Sequence, residues 1–155
     1  MSKRTTGWAF VGAQVALLVA LVALPARGDW PTPAWATTIA YLFSLGGLII
    51  VVVAALRLGP ALTPTPVPTA HGELTTSGLY RFVRHPIYTG VLAVVVGLVI
   101  RSGSWITLAV GLATVAFFHL KARWEETRLR ARYPAYEQYA ARTPRFVPRL
   151  IQRRR

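Results

Sequence analysis

The 155 residues carry 18 Lys and Arg against 5 Asp and Glu, a formal net charge of +13, yet 54% are hydrophobic and 15% charged. Soluble domains average roughly 25% charged residues, so an ordinary soluble globule is excluded, and apolarity joined to basicity points to apolar stretches in a bilayer with basic stretches at its surface. With no Cys there is no disulfide scaffold, thiolate metal site or cysteine nucleophile, and with no Asn there is no N-glycosylation acceptor.

Residues Thr5 to Ala26 form the first uncharged run, with WAFVGAQVALLVALVAL at its centre. Preceded by Lys3 and Arg4 and followed by ALPARG, it also resembles a secretory signal peptide, but its apolar part exceeds the usual ~7–15 residues. A membrane span is the preferred reading. Trp35 to Leu56 is a second uncharged run, of 22 residues. A span needs roughly 20. Sixteen uncharged residues lie between Arg84 and Arg101, and 19 between Arg101 and Lys121. These fit a short helical hairpin turning at Arg101-Ser-Gly-Ser104. The expected fold is therefore an all-α integral membrane protein of about four transmembrane helices, followed by a cytoplasmic C-terminal helix and lid segment. In that arrangement 16 of the 18 Lys and Arg fall on one side and only Arg27 and Arg101 on the other. The positive-inside rule then puts both termini in the cytoplasm, in the cell (inner) membrane.

The loop after the second span holds Pro60, Pro64, Pro66 and Pro68, which remove backbone donors and forbid a helix. An extended surface linker is expected. Next comes ELTTSGLYRFVRHPIYTG, where Ser77 is a candidate helix cap. His85 is biased away from helical geometry by Pro86, which suits the first turn of the next helix. Arg84 and His85 should thus sit at a break near the membrane, where free backbone groups survive only within protein or at a polar cavity. The fourth span runs without a breaker through AFFHLKARWEETRLRARY to Pro134, so one long helix should leave the membrane near His119. Lys121 and Glu125 share a face of it. Tyr133, Tyr136 and Tyr139 recur every three residues, and three arginines close the chain.

No P-loop, G-x-G-x-x-G, G-x-S-x-G or H-E-x-x-H motif occurs, and three scattered histidines make no metal site. Two features stand out: the break Arg84-His85-Pro86-x-Tyr88-x-Gly90 and the pair Glu125-Glu126. Each has a bland account. Arg, His and Tyr anchor chains at the headgroup zone. Glu125 and Glu126 would make a solvated helix face with Lys121, Arg128 or Arg130. The basic tail would bind anionic headgroups, at about 1 kcal/mol per residue.

Taken together, GLYRFVRHPIYTG, a helical hairpin, EETRL and YPAYEQYAARTPRFVPRL resemble the isoprenylcysteine carboxyl methyltransferase family, with its phospholipid N-methyltransferases and small bacterial membrane methyltransferases. The likeness runs from Leu74 to Leu150. Chain length and the uncharged runs give a single membrane-embedded domain over residues 1–155 with two N-terminal spans in 1–57, which match no motif of the family, and the resemblance implies a methyltransferase core in 58–155. It implies S-adenosylmethionine as cofactor, held at the cytoplasmic ends of the last helices under the C-terminal segment. Carried over residue by residue, Tyr80, Arg84, His85, Pro86, Tyr88 and Gly90 fall on the first cofactor-binding motif, Glu125 and Glu126 on the acidic pair and Leu129 on the leucine after it. Arg142, Arg145 and Pro148 fall on the closing segment. Some members have Arg where this chain has Lys121, and many have F-G-x-E-Y where it has Tyr133-Pro134-Ala135-Tyr136.

These residue types suit the cofactor. Carboxylates accept from ribose hydroxyls or the ammonium. Arg84 or Arg142 would clamp the cofactor carboxylate, and Tyr88 or Tyr80 would stack on adenine. Methyl transfer by in-line displacement to a lipophilic carboxylate or amine is expected, with Glu125, Arg142 and His85 as the catalytic candidates. A carboxylate acceptor needs no base, whereas an amine would use Glu125 or His85. The partners expected are this lipophilic acceptor and anionic membrane lipids, with neither nucleic acid nor metal. Two other classes compete: an NADPH-dependent sterol-type membrane reductase, which shares an R-x-x-H-P region, and a non-enzymatic four-helix membrane protein.

Overall fold

The computed structural model describes residues 3–59, 62 and 74–148, with side chains from Thr5 onward. The proline-rich linker, His71 and the terminal arginines lie outside the described residues. Within them the chain is all helical: α1 (Lys3–Ala23), α2 (Ala34–Leu58), a short 3-10 helix (Gly78–Arg81), α3 (Pro86–Ser102), α4 (Trp105–Arg132) and α5 (Tyr136–Arg142). Three of these, Thr5–Ala23, Ala34–Leu58 and Trp105–Arg132, are long and apolar enough to cross a membrane. The 17 residues of α3 rise about 26 Å, a little short of a hydrocarbon core of about 30 Å.

The turn between α3 and α4 is made by Gly103, at φ +54°, and by Ser104, whose hydroxyl accepts from Thr107 N at 3.4 Å. The α1–α2 connection lies across this turn. Asp29 N donates to Gly103 O at 2.6 Å, and Asp29 Oδ2 accepts from Trp105 N at 2.8 Å. The carboxylate thus caps an amide that the start of α4 leaves free. Trp30 meets Trp105 edge-on at 4.8 Å.

Helices α2 and α3 approach closely because small residues line their contact. A Cβ added to Gly90 would stand 2.5 Å from Gly47 O and 2.9 Å from Val51 N. Without a strong hydrophobic drive between helices in lipid, such close backbone packing is what holds a pair together. The outer face of α2 shows Leu42, Leu45, Leu48, Ile49, Val52 and Leu56, all exposed, whereas the interior buries His85, Lys121 and Glu126. Polar groups inside and apolar groups outside reverse the arrangement of a soluble protein and suit a lipid surround.

Helix α4 runs unbroken to Arg132, stopping short of Pro134. Ser77 sits at the N-terminal edge of the 3-10 helix, but its side chain makes no capping hydrogen bond. Instead its hydroxyl accepts from Arg57 Nη2 at 3.1 Å, joining the linker's far end to α2.

Candidate active site

Pro86 is the first residue of α3, and His85 before it is non-helical, at φ −126° and ψ 64°. This leaves the amides of Arg84 and His85 without helical partners. They donate to Pro144 O at 2.9 Å and Arg145 O at 3.1 Å. The segment after α5 therefore crosses the break and satisfies it. Thr89 Oγ1 adds a bond to Phe146 O at 2.8 Å, one turn further along α3. Tyr139 OH donates to Tyr80 O at 2.6 Å and draws α5 to the 3-10 helix.

Arg84 binds in two directions. Nη1 donates to Ala140 O at 2.8 Å and Thr143 O at 2.7 Å, carbonyls at the C-terminal end of α5 where a cation is favoured. Nε and Nη2 donate to Glu126 Oε1 at 3.2 and 3.1 Å. Arg145 approaches the same carboxylate from the closing segment, and His85 Nε2 stands 3.1 Å from Oε1. A carboxylate offers about four acceptor sites. Glu126, fully buried, has four protein contacts on Oε1 and one hydrogen bond, from Arg145, on Oε2. The hydrogen bond and charge of Glu126 also hold the Arg145 guanidinium above its ordinary pKa.

Glu125 differs. Its side chain is 24% exposed, and Oε2 accepts from Tyr88 OH at 2.7 Å with His85 Nδ1 at 3.7 Å. No partner for Oε1 is found among the described residues. His85 therefore lies between the two carboxylates, stacked parallel to the Tyr88 ring at 5.1 Å. That ring also meets Phe118 at 5.0 Å and has Lys121 Nζ 5.2 Å from its centroid.

Three tyrosines complete the cluster. Tyr136 is buried, and its hydroxyl has no hydrogen-bond partner among the described residues. Burial first, and then the Glu126 charge, push its pKa up. Tyr80 is raised by burial and by Glu125, and Tyr139 is pushed up to about 12, chiefly by burial. All three are neutral donors at ordinary pH.

The structure thus gathers Tyr80, Arg84, His85, Tyr88, Glu125 and Glu126 in one cluster. Pro86 is buried at the start of α3. Gly90 faces α2 and serves the close helix approach. Leu129 is half-buried one turn past Glu126, and Pro148 is exposed. Arg142 is exposed at the end of α5, and it is Arg145 that reaches the acidic pair. The reason is local: α5 ends at Arg142, and the extended residues beyond it carry position 145 back over α4. Thr89 and Tyr136 also belong to the cluster, and their spacing from Pro86 and Pro134 offers little signal in the sequence. Lys121 does not pair with Glu125 along its own helix. Its Nζ donates to Gln14 Oε1 on α1 at 2.5 Å. Gln14 was visible as a polar residue inside the first apolar run.

The family model described as phospholipid methyltransferase matches residues 35–136, from the start of α2 to the start of α5. The chain is also 32% identical over 124 residues to the cobalt-zinc-cadmium resistance protein CzcN of Cupriavidus metallidurans, covering 79% of this chain and 53% of that protein. It is 40% identical over 80 residues to the nickel-cobalt-cadmium resistance protein NccN of Alcaligenes xylosoxydans xylosoxydans, covering 50% of this chain and 37% of that protein. The chain spans about half or less of the length of these two relatives.

Proposed function

Because the chain belongs to the phospholipid methyltransferase family, we propose that it moves a methyl group from S-adenosylmethionine to a lipophilic acceptor within the membrane. The observation that supports this most is the division of labour between two neighbouring carboxylates. Glu126 is fully buried under two guanidinium groups and ties the closing segment to α4. Glu125, part exposed, keeps an oxygen for a ligand, and elsewhere in the same cluster the buried Tyr136 hydroxyl has no partner among the described residues. A carboxylate acceptor and a buried neutral donor suit a ligand rich in hydroxyl, ammonium and carboxylate groups.

In this reading Glu125 Oε1 takes a ribose hydroxyl or the ammonium, and Tyr136 OH donates to a carboxylate or ribose oxygen. Tyr88 holds Glu125 in place through its hydroxyl. Tyr80 is the better candidate to lie against adenine, since the Tyr88 ring already packs on His85 and Phe118. Arg84, Arg145 and Glu126 position the segment that excludes water, which strengthens each polar contact beneath it. The cofactor supplies an electrophilic methyl carbon. An acid acceptor needs alignment alone, worth several kcal/mol when groups are well oriented. For an amine acceptor, His85, held between two carboxylates, or Glu125 takes the proton.

We place the site at the cytoplasmic face of a four-span protein with α3 as the shortest span and both termini inside, as the Lys and Arg distribution favours. The exposed arginines there would meet anionic headgroups. The test is calorimetric titration of the detergent-purified protein with S-adenosylhomocysteine, alongside NADPH. Binding of the first and not the second supports methyl transfer. The opposite result would return the chain to the reductase class.

A further inference from the structure

Helices α2 and α3 touch through their smallest residues. A Cβ added to Gly97 would stand 2.5 Å from Ala40 O, and one added to Gly47 would stand 2.9 Å from Val94 N. Axes this close push larger side chains off the seam. On one side they wall a groove of about 570 Å³, lined by Thr38, Tyr41, Leu42, Leu45, Leu48 and Val94. The hydroxyls at this wall are turned back on their own helix, Thr38 Oγ1 to Ala34 O at 3.0 Å and Ser44 Oγ to Ala40 O at 2.9 Å. The groove is therefore apolar, and Leu42, Leu45 and Leu48 are each more than half exposed.

The groove runs out beneath a cation. Arg101 lies two turns, about 10 Å, beyond Val94 on the same face of α3. Because Gly97 is beside Ala40, the antiparallel pairing sets Arg101 level with the first turn of α2. There the exposed Trp35 and Trp105 make the aromatic belt of a membrane surface. The Arg101 side chain is exposed and forms no ion pair or hydrogen bond among the described residues. The Asp29 carboxylate at the same end accepts from Trp105 N instead. Tyr41, 58% exposed, makes no hydrogen bond among the described residues either. Helical side chains lean towards the helix start, which carries its hydroxyl back towards Arg101. An apolar groove, a free phenol and a free guanidinium thus stand in line from bilayer to surface. A packed partner helix would explain the groove but not the cation above it.

We propose that this groove holds one anionic phospholipid, in the leaflet on the side away from the candidate active site. One acyl chain lies against Leu42, Leu45, Leu48 and Val94, the phosphate pairs with Arg101, and the Tyr41 hydroxyl donates to an ester carbonyl. The lipid supplies a counter-charge for one of the two cations, Arg27 and Arg101, that the Lys and Arg distribution leaves on that side. Pro86, beside the acidic cluster, is about 22 Å along α3 from Arg101, so this lipid is a resident of the far leaflet and not the methyl acceptor. The assignment rests on the membrane-spanning fold and is independent of methyl transfer.

The experiment reconstitutes the full chain in phosphatidylcholine vesicles with a trace of phosphatidylglycerol or phosphatidylcholine that carries a diazirine on one acyl chain. Photo-crosslinks are mapped by mass spectrometry, so lipid bound at the basic opposite face is counted separately. At Leu42, Leu45, Leu48 and Val94 the phosphatidylglycerol should label about tenfold more than the phosphatidylcholine, the scale of a hydrogen bond to a charged group. Arg101→Gln should abolish that preference at these positions, Arg101→Lys should keep it, and Arg27→Gln should leave it intact. Leu45→Trp, which fills the groove, should lower labelling of Val94 by both lipids. All three substituted positions are exposed, and circular dichroism checks that each variant keeps its helical content. Equal labelling by the two lipids in wild type overturns the proposal, as does a preference that survives Arg101→Gln. Loss of the preference in Arg27→Gln would move the head group to the α1–α2 connection and overturn it too. A groove that takes no label, in a protein that is dimeric in detergent until Leu45→Trp makes it monomeric, would give this face to a second copy of the chain and overturn it as well.

Discussion

Arg145 holds Glu126 by two parallel hydrogen bonds, Nε to Oε1 and Nη2 to Oε2, each 2.8 Å. This fork joins the segment after α5 to a fully buried position on α4, and Arg84 meets the same carboxylate from the break before α3.

Glu126→Gln should therefore act first on stability. It leaves Arg84 and Arg145 without their shared counter-charge, and breaking a buried ion pair from one side costs about 3–5 kcal/mol. Glu125→Gln should change stability by less than about 1 kcal/mol while lowering S-adenosylhomocysteine affinity by about 1.5–3 kcal/mol. Thermal unfolding in detergent, paired with calorimetry, reads both. Equal behaviour of the two variants would contradict the division of labour between them.

Tyr136→Phe should have opposite effects on the two quantities. Removing a buried hydroxyl that has no partner among the described residues relieves a desolvation cost, so the ligand-free protein should unfold at the same temperature or higher. If that hydroxyl serves the cofactor, affinity should fall by about 1 kcal/mol. A variant with lowered stability and unaltered affinity would show the hydroxyl to be structural.

Gly90→Ala should destabilise by about 1–3 kcal/mol, because the new Cβ meets the backbone of α2 at Gly47 and Val51. Gly12→Ala, with nothing within 4 Å, should stabilise by about 0.5–1 kcal/mol through helix propensity. The same thermal scan decides the two signs.

A chain ending at Ala141 loses every contact that residues 143–146 make with the break, so it should lose S-adenosylhomocysteine binding while its helical content by circular dichroism stays high. One ending at Gln152 should bind normally. Arg145→Ala should resemble the longer truncation, and Arg142→Ala, at an exposed position, should resemble wild type. Full affinity in the protein ending at Ala141 would reassign the segment to membrane attachment.

The chain has no cysteine, so single substitutions report orientation cleanly. Thr32→Cys should react with an impermeant thiol reagent added to intact cells, and Gln138→Cys should react after lysis alone. Both positions are exposed. The reverse pattern would invert the topology.

What was legible from sequence was what local chemistry dictates. The helices at 3–23 and 34–58 follow uncharged runs, the turn at Gly103-Ser104 follows a glycine and a cap, and the non-helical His85 follows from Pro86. The gathering of Arg84, His85, Glu125 and Glu126 entered through a family resemblance, and the spacing of residues 84 and 126 alone carries no such signal. The partners of each side chain were not legible. An Arg at 142 and an Arg at 145 look alike in the sequence, and where α5 ends decides which of them turns inward. Lys121 and Glu125, four apart on a helix, invite a pairing that the structure replaces with Gln14, because burial makes a contact across helices available.

The amides of Arg84 and His85 are satisfied by Pro144 and Arg145, far along the chain. During synthesis the start of α3 must therefore enter the membrane region with two bare amides and an unpaired guanidinium, and wait. The joint closes once α4 has been inserted and α5 has formed behind it. The joint between the start of α3 and residues 144–145 is thus one that only the later part of the chain can close.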